Sequence, residues 1–514
     1  MDLTVSISRH IEELLRYAEK KGLIEPVDLP YYRNLLLDVF HLDAPAEAGL
    51  LLFPAEIPET SAGLTAAIFR DAIDAGLVED RSTQYDLFSA RIMGLLTPSP
   101  AQTRQQFSVL LDQQGPQAAT DWFYQLCRDC DYIKVEAIAQ NIRYFAQTRV
   151  GELEITINLS KPEKDPKEIA RLKNAPSVGY PRCMLCVENP GYAGRENFPA
   201  RQNHRMIPLQ LGGEDWYLQY SPYAYYDEHC IVLRGQHVPM KIDRTTFERL
   251  FEFVEIYPHY MLGSNADLSI VGGSILNHDH FQGGRYSFPM DKAGVRVPLQ
   301  TRDSCVRAWI VDWPMSAVRL ACTEKEPLIE MAEQIQVAWQ SWSDPACDVL
   351  AFSDDTPHNT ITPILRKNGD EYVLTLVLRN NRVSEEHPLG IFHPHAELHH
   401  IKKENIGLIE VMGLFILPGR LKNELAALVP WLTGEKPLAE PAQEDPSWKH
   451  YPWLCDIVAR RGLCASEVEA SAVLREEVAE VCARVLEDAG VYKHTEAGLA
   501  GMLRFLASVE MTSC

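Results

Sequence analysis

The octapeptide Asn277-His278-Asp279-His280-Phe281-Gln282-Gly283-Gly284 constrains the fold of this chain more tightly than any other stretch. It follows an apolar run, Leu268 to Leu276, that contains Gly272 and Gly273. Strand side chains alternate between faces with a period of two, so an extended segment puts His278, His280 and Gln282 on one face. A helix would spread them around its axis. Three polar groups on one strand face are costly to bury without a partner, and neighbouring glycines let a ligand approach the backbone. The competing reading is a strand with hydrogen-bonded core histidines. Two imidazoles and an amide at a strand end suit attack on phosphorus. A neutral imidazole is a competent nucleophile when an acceptor holds its other ring nitrogen, which fixes the tautomer and supports the developing charge. Gln282 can donate to phosphoryl oxygens but has no proton to titrate. That suits a leaving group that is already a good phosphate.

A metal site is the second candidate. Cys183-Met184-Leu185-Cys186 spaces two thiols to grip one ion, and zinc prefers four tetrahedral sulfur or nitrogen ligands. His229, at the start of an expected strand, and His278 are the best remaining donors. If His278 holds the metal, His280 is free to attack. Alone, the CxxC fits equally well as two small core residues in a turn. Cys127-Arg128-Asp129-Cys130 lies in a helical stretch where residues three apart share a face, and no second ligand pair stands near it. It reads as packing or incidental cysteines, with a redox pair as the alternative.

Lys+Arg total 49 against Asp+Glu 71, a net charge of -22, which argues against sequence-independent nucleic-acid binding and against anionic membranes. A local basic pocket can still take a small phosphorylated ligand. No apolar stretch is long enough to span a bilayer, and charged residues from Arg9 to Lys21 interrupt any signal-like core. The expected location is cytoplasmic. Twelve cysteines in 514 residues read as reduced thiols with one metal site, not a disulfide framework.

Residues 1–175 read as a mostly helical N-terminal region, with helices expected from Ile11-Leu14-Leu15-Ala18, after Asp28-Leu29-Pro30, and over 84–95, 101–112 and 116–148. The charged stretch 160–175 reads as a linker. From 178 to 420 the texture changes to strands at 216–220, 230–233, 268–271 and 372–378, with helices near 244–261 and 324–341. Helices return at 420–433, 466–487 and 496–508. The fold class is therefore α+β with antiparallel sheets rather than a doubly wound fold.

The stretch Asp267 to Gly284 resembles the signature of class II galactose-1-phosphate uridylyltransferases, of the histidine-triad superfamily. Also similar are Tyr180 to Asn189, Pro199 to Arg205, Tyr226 to Leu233 and Phe392 to Gly413. The resemblance spans nearly the whole chain and is strongest from 178 to 420. It implies histidine-triad-like halves at 176–300, with CxxC and HxHxQ, and at 301–420, with HPHAELHH, and a helical region at 421–514. It implies that UMP passes from UDP-glucose to galactose 1-phosphate, giving UDP-galactose and glucose 1-phosphate. The carrier is uridylyl-His280, which Gln282 stabilises. Class I relatives hold zinc with a CxxC, a downstream His and the first His of HxHxQ. Cys183, Cys186, His229 and His278 match in order and type. This chain departs from the family at Ser269, where Pro is expected, and at Asn277, where a small residue is expected.

Further candidates are Asn265, Gly272, Gly273 and Ser274 for the phosphates, Arg201, Asn203 and Arg205 for the nucleotide, and Glu410 for hexose hydroxyls. Arg201, Asn203 and Arg205 fit equally a solvated turn. His393, His395, His399 and His400 fit a second metal, centred on His393 and His395, or closure of the sugar-phosphate pocket, and equally a polar rim. No organic cofactor, nucleic acid or membrane partner is expected, and a homodimer is the assembly left open. The competing functions are a phosphorylase or hydrolase of the same superfamily, which a third His in place of Gln282 would have favoured, and a non-catalytic zinc-bound nucleotide sensor.

Overall fold

The structure is a computed structural model that describes residues 2–50, 53, 56–160, 178–273 and 275–513. Ser274 and all but the first residue of the expected 160–175 linker lie outside the described residues. The chain divides into two compact units, Met1–Gln140 with Pro162–His237, and Asn141–Lys161 with Val238–Cys514.

In the first unit, amphipathic helices precede a small sheet. Leu3–Lys20 buries Ile7, Ile11, Leu14, Leu15 and Ala18 at helical spacing, and Asp2 caps it by accepting from the Thr4 amide. Leu29–Val39, Ala62–Asp74, Ser82–Leu96, Pro100–Gln114 and Pro116–Asp129 follow. Ser99 and Gln102 form a capping box ahead of Pro100, whose fixed φ suits a first helical turn. The sheet is antiparallel, Ile207–Leu211 against Glu214–Tyr220 and then Cys230–Arg234. Gly212 and Gly213 make the first hairpin turn with φ of 59° and 70°, the sign of φ that a two-residue primed turn needs at both positions.

In the second unit, the large sheet runs in the order Thr512–Ser513, Val295–Gln300, Arg307–Val311, Ala317–Cys322, Glu371–Asn380, Asn359–Asn368, Met261–Gly263 and His280–Gly284. Every pairing in it is antiparallel. Helices Arg244–Ile256 and Lys325–Ser341 cover it. A separate sheet joins the hairpin Ile142–Thr148 and Gly151–Asn158 to Leu414–Pro418, the last in parallel. Leu421–Leu432, Tyr451–Arg461, Glu467–Ala489 and Glu496–Ala507 complete the unit. The fold class is α+β, as expected. No helix among the described residues is long and apolar enough to cross a membrane.

Three local expectations are corrected. The helix expected over 116–148 ends at Asp129, and Ile142–Thr148 is a strand whose residues alternate between half-buried and exposed. Leu268–Val271 is a loop and not a strand. It folds back so that Ala266 bridges Gly272, with Ile270 at a φ of 75°. An apolar run alone does not separate a strand from a buried loop. Finally, the strand begins at His280, so His278 precedes it and only His280 and Gln282 alternate within it.

Candidate functional site

His280 opens its strand and is buried. Its Nδ1 lies 2.8 Å from the His278 carbonyl oxygen, which can only accept. The Nδ1 therefore carries the proton, and Nε2 keeps its lone pair. Burial pushes the His280 pKa down to about 4, against the opposing pull of that carbonyl, so the ring is neutral near pH 7. Gln282 is half-buried and pairs with Gly263 across the strand. A Cβ on Gly263 would meet the Pro363 carbonyl at 2.9 Å and Leu408 at 3.0 Å, so the neighbouring strand approaches closely only because this residue is glycine.

The approach to His280 is fixed from two sides. The Asp279 amide donates to the Val238 carbonyl at 2.7 Å and the Met240 amide to that of Leu276 at 2.9 Å. Upstream, Asn265 is buried two residues beyond Gly263, and its Oδ1 accepts from the Leu408 amide at 2.9 Å. A Cβ on Gly273 would lie 2.7 Å from Asn265 Nδ2, and one on Gly272 would lie 2.4 Å from the Ala266 carbonyl. Both glycines are thus required by packing of the loop that leads into the octapeptide.

In the first unit, Cys183, Cys186 and His237 converge, with ligand atoms within 4.8 Å of one another. The Sγ atoms of Cys183 and Cys186 are 3.4 Å apart and Cys186 Sγ is 3.0 Å from His237 Nδ1. Two sulfurs on a tetrahedral zinc with bonds of about 2.3 Å would be about 3.8 Å apart, so small shifts would accommodate the ion. The fully buried Asn189 holds the turn by donating to the carbonyls of Cys183 and Cys186 at 2.9 and 2.8 Å. Burial, then the adjacent Cys183, push the Cys186 thiol up to about 12, a preference that a divalent cation reverses by binding the thiolate.

His229 does not join this group. Its ring stacks on Tyr225 and lies against Tyr226, with centroids 5.5 and 4.6 Å away. The strand Cys230–Arg234 separates it from His237 by about 16 Å of extended chain. The histidine that faces the thiols comes after the strand, beyond Gly235. A second histidine eight residues downstream of the expected one was the available signal.

The remaining candidates divide. Asn203 is buried with its amide on the Cys130 carbonyl at 2.9 Å, and Cys130 Sγ returns to the Asn203 carbonyl at 3.4 Å. Arg205 donates to the carbonyls of Pro98, Thr97, Gln202 and His204. These contacts brace the turn, and the Cys127–Cys130 pair is buried within it. Arg201 is half-buried, with its guanidinium over the Tyr132 ring at 5.7 Å. The histidines of the HPHAELHH stretch do not share one centre, although His393 and His399 meet at the Pro394 carbonyl with their rings 6.5 Å apart. His393 faces Asn405 Oδ1 at 3.3 Å, His395 the Ile391 carbonyl at 3.1 Å, His399 the Pro394 carbonyl at 2.8 Å, and His400 the ring of His450 at 2.9 Å. Among the described residues, no metal-binding group includes His393 or His395. Glu410 accepts from Lys402 Nζ at 3.1 Å on Oε1 and from the Gly407 amide at 3.2 Å on Oε2.

The model of the galactose-1-phosphate uridyl transferase N-terminal domain matches residues 61–239, and that of the C-terminal domain matches residues 252–429. A galactose-1-phosphate uridylyltransferase of Caldanaerobacter subterraneus is 47% identical over 97% of this chain and 97% of its own length. That of Halalkalibacterium halodurans is 48% identical over 98% and 99%, and that of Bacillus subtilis 47% over 98% and 98%.

Proposed function

The chain belongs to the galactose-1-phosphate uridyl transferase family, and on that basis we propose that it exchanges UMP between UDP-glucose and galactose 1-phosphate through a covalent uridylyl-His280. One observation carries the assignment of His280. Its Nδ1–H is held by the His278 carbonyl at 2.8 Å, which leaves Nε2 as a neutral nucleophile and supports the charge that develops when it attacks. In the first half-reaction Nε2 bonds to the α-phosphorus, and the bond to the bridging oxygen breaks, releasing glucose 1-phosphate. In the second, a phosphate oxygen of galactose 1-phosphate attacks the same phosphorus, and the P–N bond returns its electrons to Nε2. Gln282, two residues along the same strand face, donates to the equatorial oxygens in both steps. The Gly272–Gly273 turn and Asn265 bring backbone and amide donors to the phosphates. The reaction runs in the cytoplasm, where the thiols stay reduced.

In this reading Cys183, Cys186 and His237 are three of the ligands of a zinc ion, with His237 in the place expected of His229.

The test mixes protein with UDP-glucose labelled in the uridylyl group, then chases with galactose 1-phosphate. Label should appear on the protein, be absent from His280→Ala, and leave on the sugar phosphate. Label retained by His280→Ala would sink the nucleophile assignment. Label lost to water as fast as to sugar phosphate would favour a hydrolase.

A further inference from the structure

The stretch that follows HPHAELHH holds a buried charge pair whose contacts lead towards the nucleophile. Lys402 is almost fully buried, and its Nζ donates to Glu410 Oε1 at 3.1 Å and to the Ile416 carbonyl at 3.3 Å. Burial would lower its pKa, but Glu410 and then Glu404 outweigh it and the ammonium stays charged. The other oxygen of Glu410 accepts from the Gly407 amide at 3.2 Å, and the next amide, Leu408, donates to Asn265 Oδ1 at 2.9 Å. Arg379, fully buried, donates to the Ile406 carbonyl at 2.8 Å. A Cβ on Gly407 would lie 3.2 Å from Asn265 Oδ1 and 3.5 Å from Glu410 Oε2, and one on Gly273 would lie 2.7 Å from Asn265 Nδ2. The contacts form one line, from Lys402 through Glu410, Gly407 and Leu408 to Asn265 and the glycine turn.

We propose that Lys402 and Glu410 are positioning residues that hold Asn265 and the Gly272–Gly273 turn in place ahead of His280. This inference rests on the uridylyl-transfer reading of that site. It gives Glu410 an internal partner in place of a sugar hydroxyl. It also accounts for a largely buried Lys–Glu pair where an apolar pair would be at least as stable: the charges fix one loop geometry. Neither residue touches the reacting atoms; they act through Asn265, so a loss at Lys402 misplaces donors without removing any.

The test compares wild type, Lys402→Met, Lys402→Arg and Gly407→Ala for the single-turnover rate of label transfer from UDP-glucose, the KM for UDP-glucose, and Tm. Lys402→Met should slow label transfer by about ten- to a hundredfold, the size of effect that a misplacement of about 1 Å produces, and Gly407→Ala, whose added Cβ would lie 3.2 Å from Asn265 Oδ1 and displaces it less, should slow it by a smaller factor. KM should move by less than about threefold, because the missing contribution belongs to the transition state. Lys402→Arg, which keeps the cation, should recover most of the rate. A Lys402→Met protein with a lowered Tm and a wild-type rate would overturn the proposal, as would equal losses in the Met and Arg variants. If Lys402→Met does not fold, Gly407→Ala decides, since it presses on Asn265 with the charge pair intact, and a wild-type rate there overturns the proposal. Failure of wild type to take up label would overturn the uridylyl-transfer reading, and the proposal with it.

Discussion

At the scale of single residues, His237 and His229 make the sharpest contrast. Both are histidines near a strand of the first unit, but only His237 faces the thiols. His237→Ala should lower bound zinc, measured by elemental analysis, well below the one ion per chain expected of wild type, and His229→Ala should keep it. The reverse result would restore the assignment made from motif order. Gln282→Ala should still accept label on His280, with transfer slowed by about a hundred- to a thousandfold, the cost of losing one preorganised donor. Gly272→Ala places a Cβ 2.4 Å from the Ala266 carbonyl and should destabilise by about 1–3 kcal/mol in urea titration. The Cys183–Cys186 pair was legible as part of a metal-binding group because such a group depends on residue type and short spacing. His237 was not, because which end of a strand meets a distant turn depends on the path of the chain between them. Asn203 and Arg205 misled for a related reason: a polar cluster reads the same whether its donors face a ligand or backbone carbonyls.

At the scale of elements, Leu3–Lys20 contains the expected Ile11, Leu14, Leu15 and Ala18 repeat, and Lys325–Ser341 and Glu467–Ala489 fall close to the expected bounds, whereas Ala62–Asp74 was not expected. The Ile142–Asn158 hairpin was missed because its partner is Leu414–Pro418, and no local window contains that pairing. The loop Leu268–Val271 was read as a strand because Leu268, Ile270 and Val271 are branched and apolar. Its left-handed Ile270, a conformation costly for a β-branched side chain, can be seen only in three dimensions. Phe415 lies fully buried in the parallel strand. Phe415→Ala should cost about 3–5 kcal/mol by chemical denaturation, as for other large core truncations. A cost near zero would mean that the strand does not dock as described.

For the whole molecule, acid tolerance is set partly by a cluster of histidines and a carboxylate. His400 and His450 face each other at 2.9 Å, and His450 reaches Glu424 at 3.0 Å, with Arg420 and Lys449 also on that carboxylate. Burial, then His450, push the pKa of His400 down to about 3, and burial lowers that of His450 despite Glu424. Both histidines therefore resist protonation in the folded state and accept it once unfolded. Above about 6.5 they are neutral in both states; as pH falls below that value towards 3, the unfolded chain gains protons that the folded chain refuses, and stability drops. His400→Gln should flatten the fall of Tm between pH 7 and pH 5, and an unchanged slope would count against the cluster. The acidic composition and absence of a long apolar segment could be read from sequence because they are sums over residues. The division into units could not, because Asn141–Lys161 sits inside the first unit's sequence and packs with the second. That interleaving has a consequence in time. Asn158 pairs with Pro418, 260 residues downstream. At about 5–20 residues per second of synthesis, the hairpin waits roughly 13 to 50 seconds for the strand that covers its open edge. For that interval the nascent chain presents an unpaired strand to its neighbours, so yield during expression should depend on elongation rate and on chaperone supply more than the finished protein's stability would suggest.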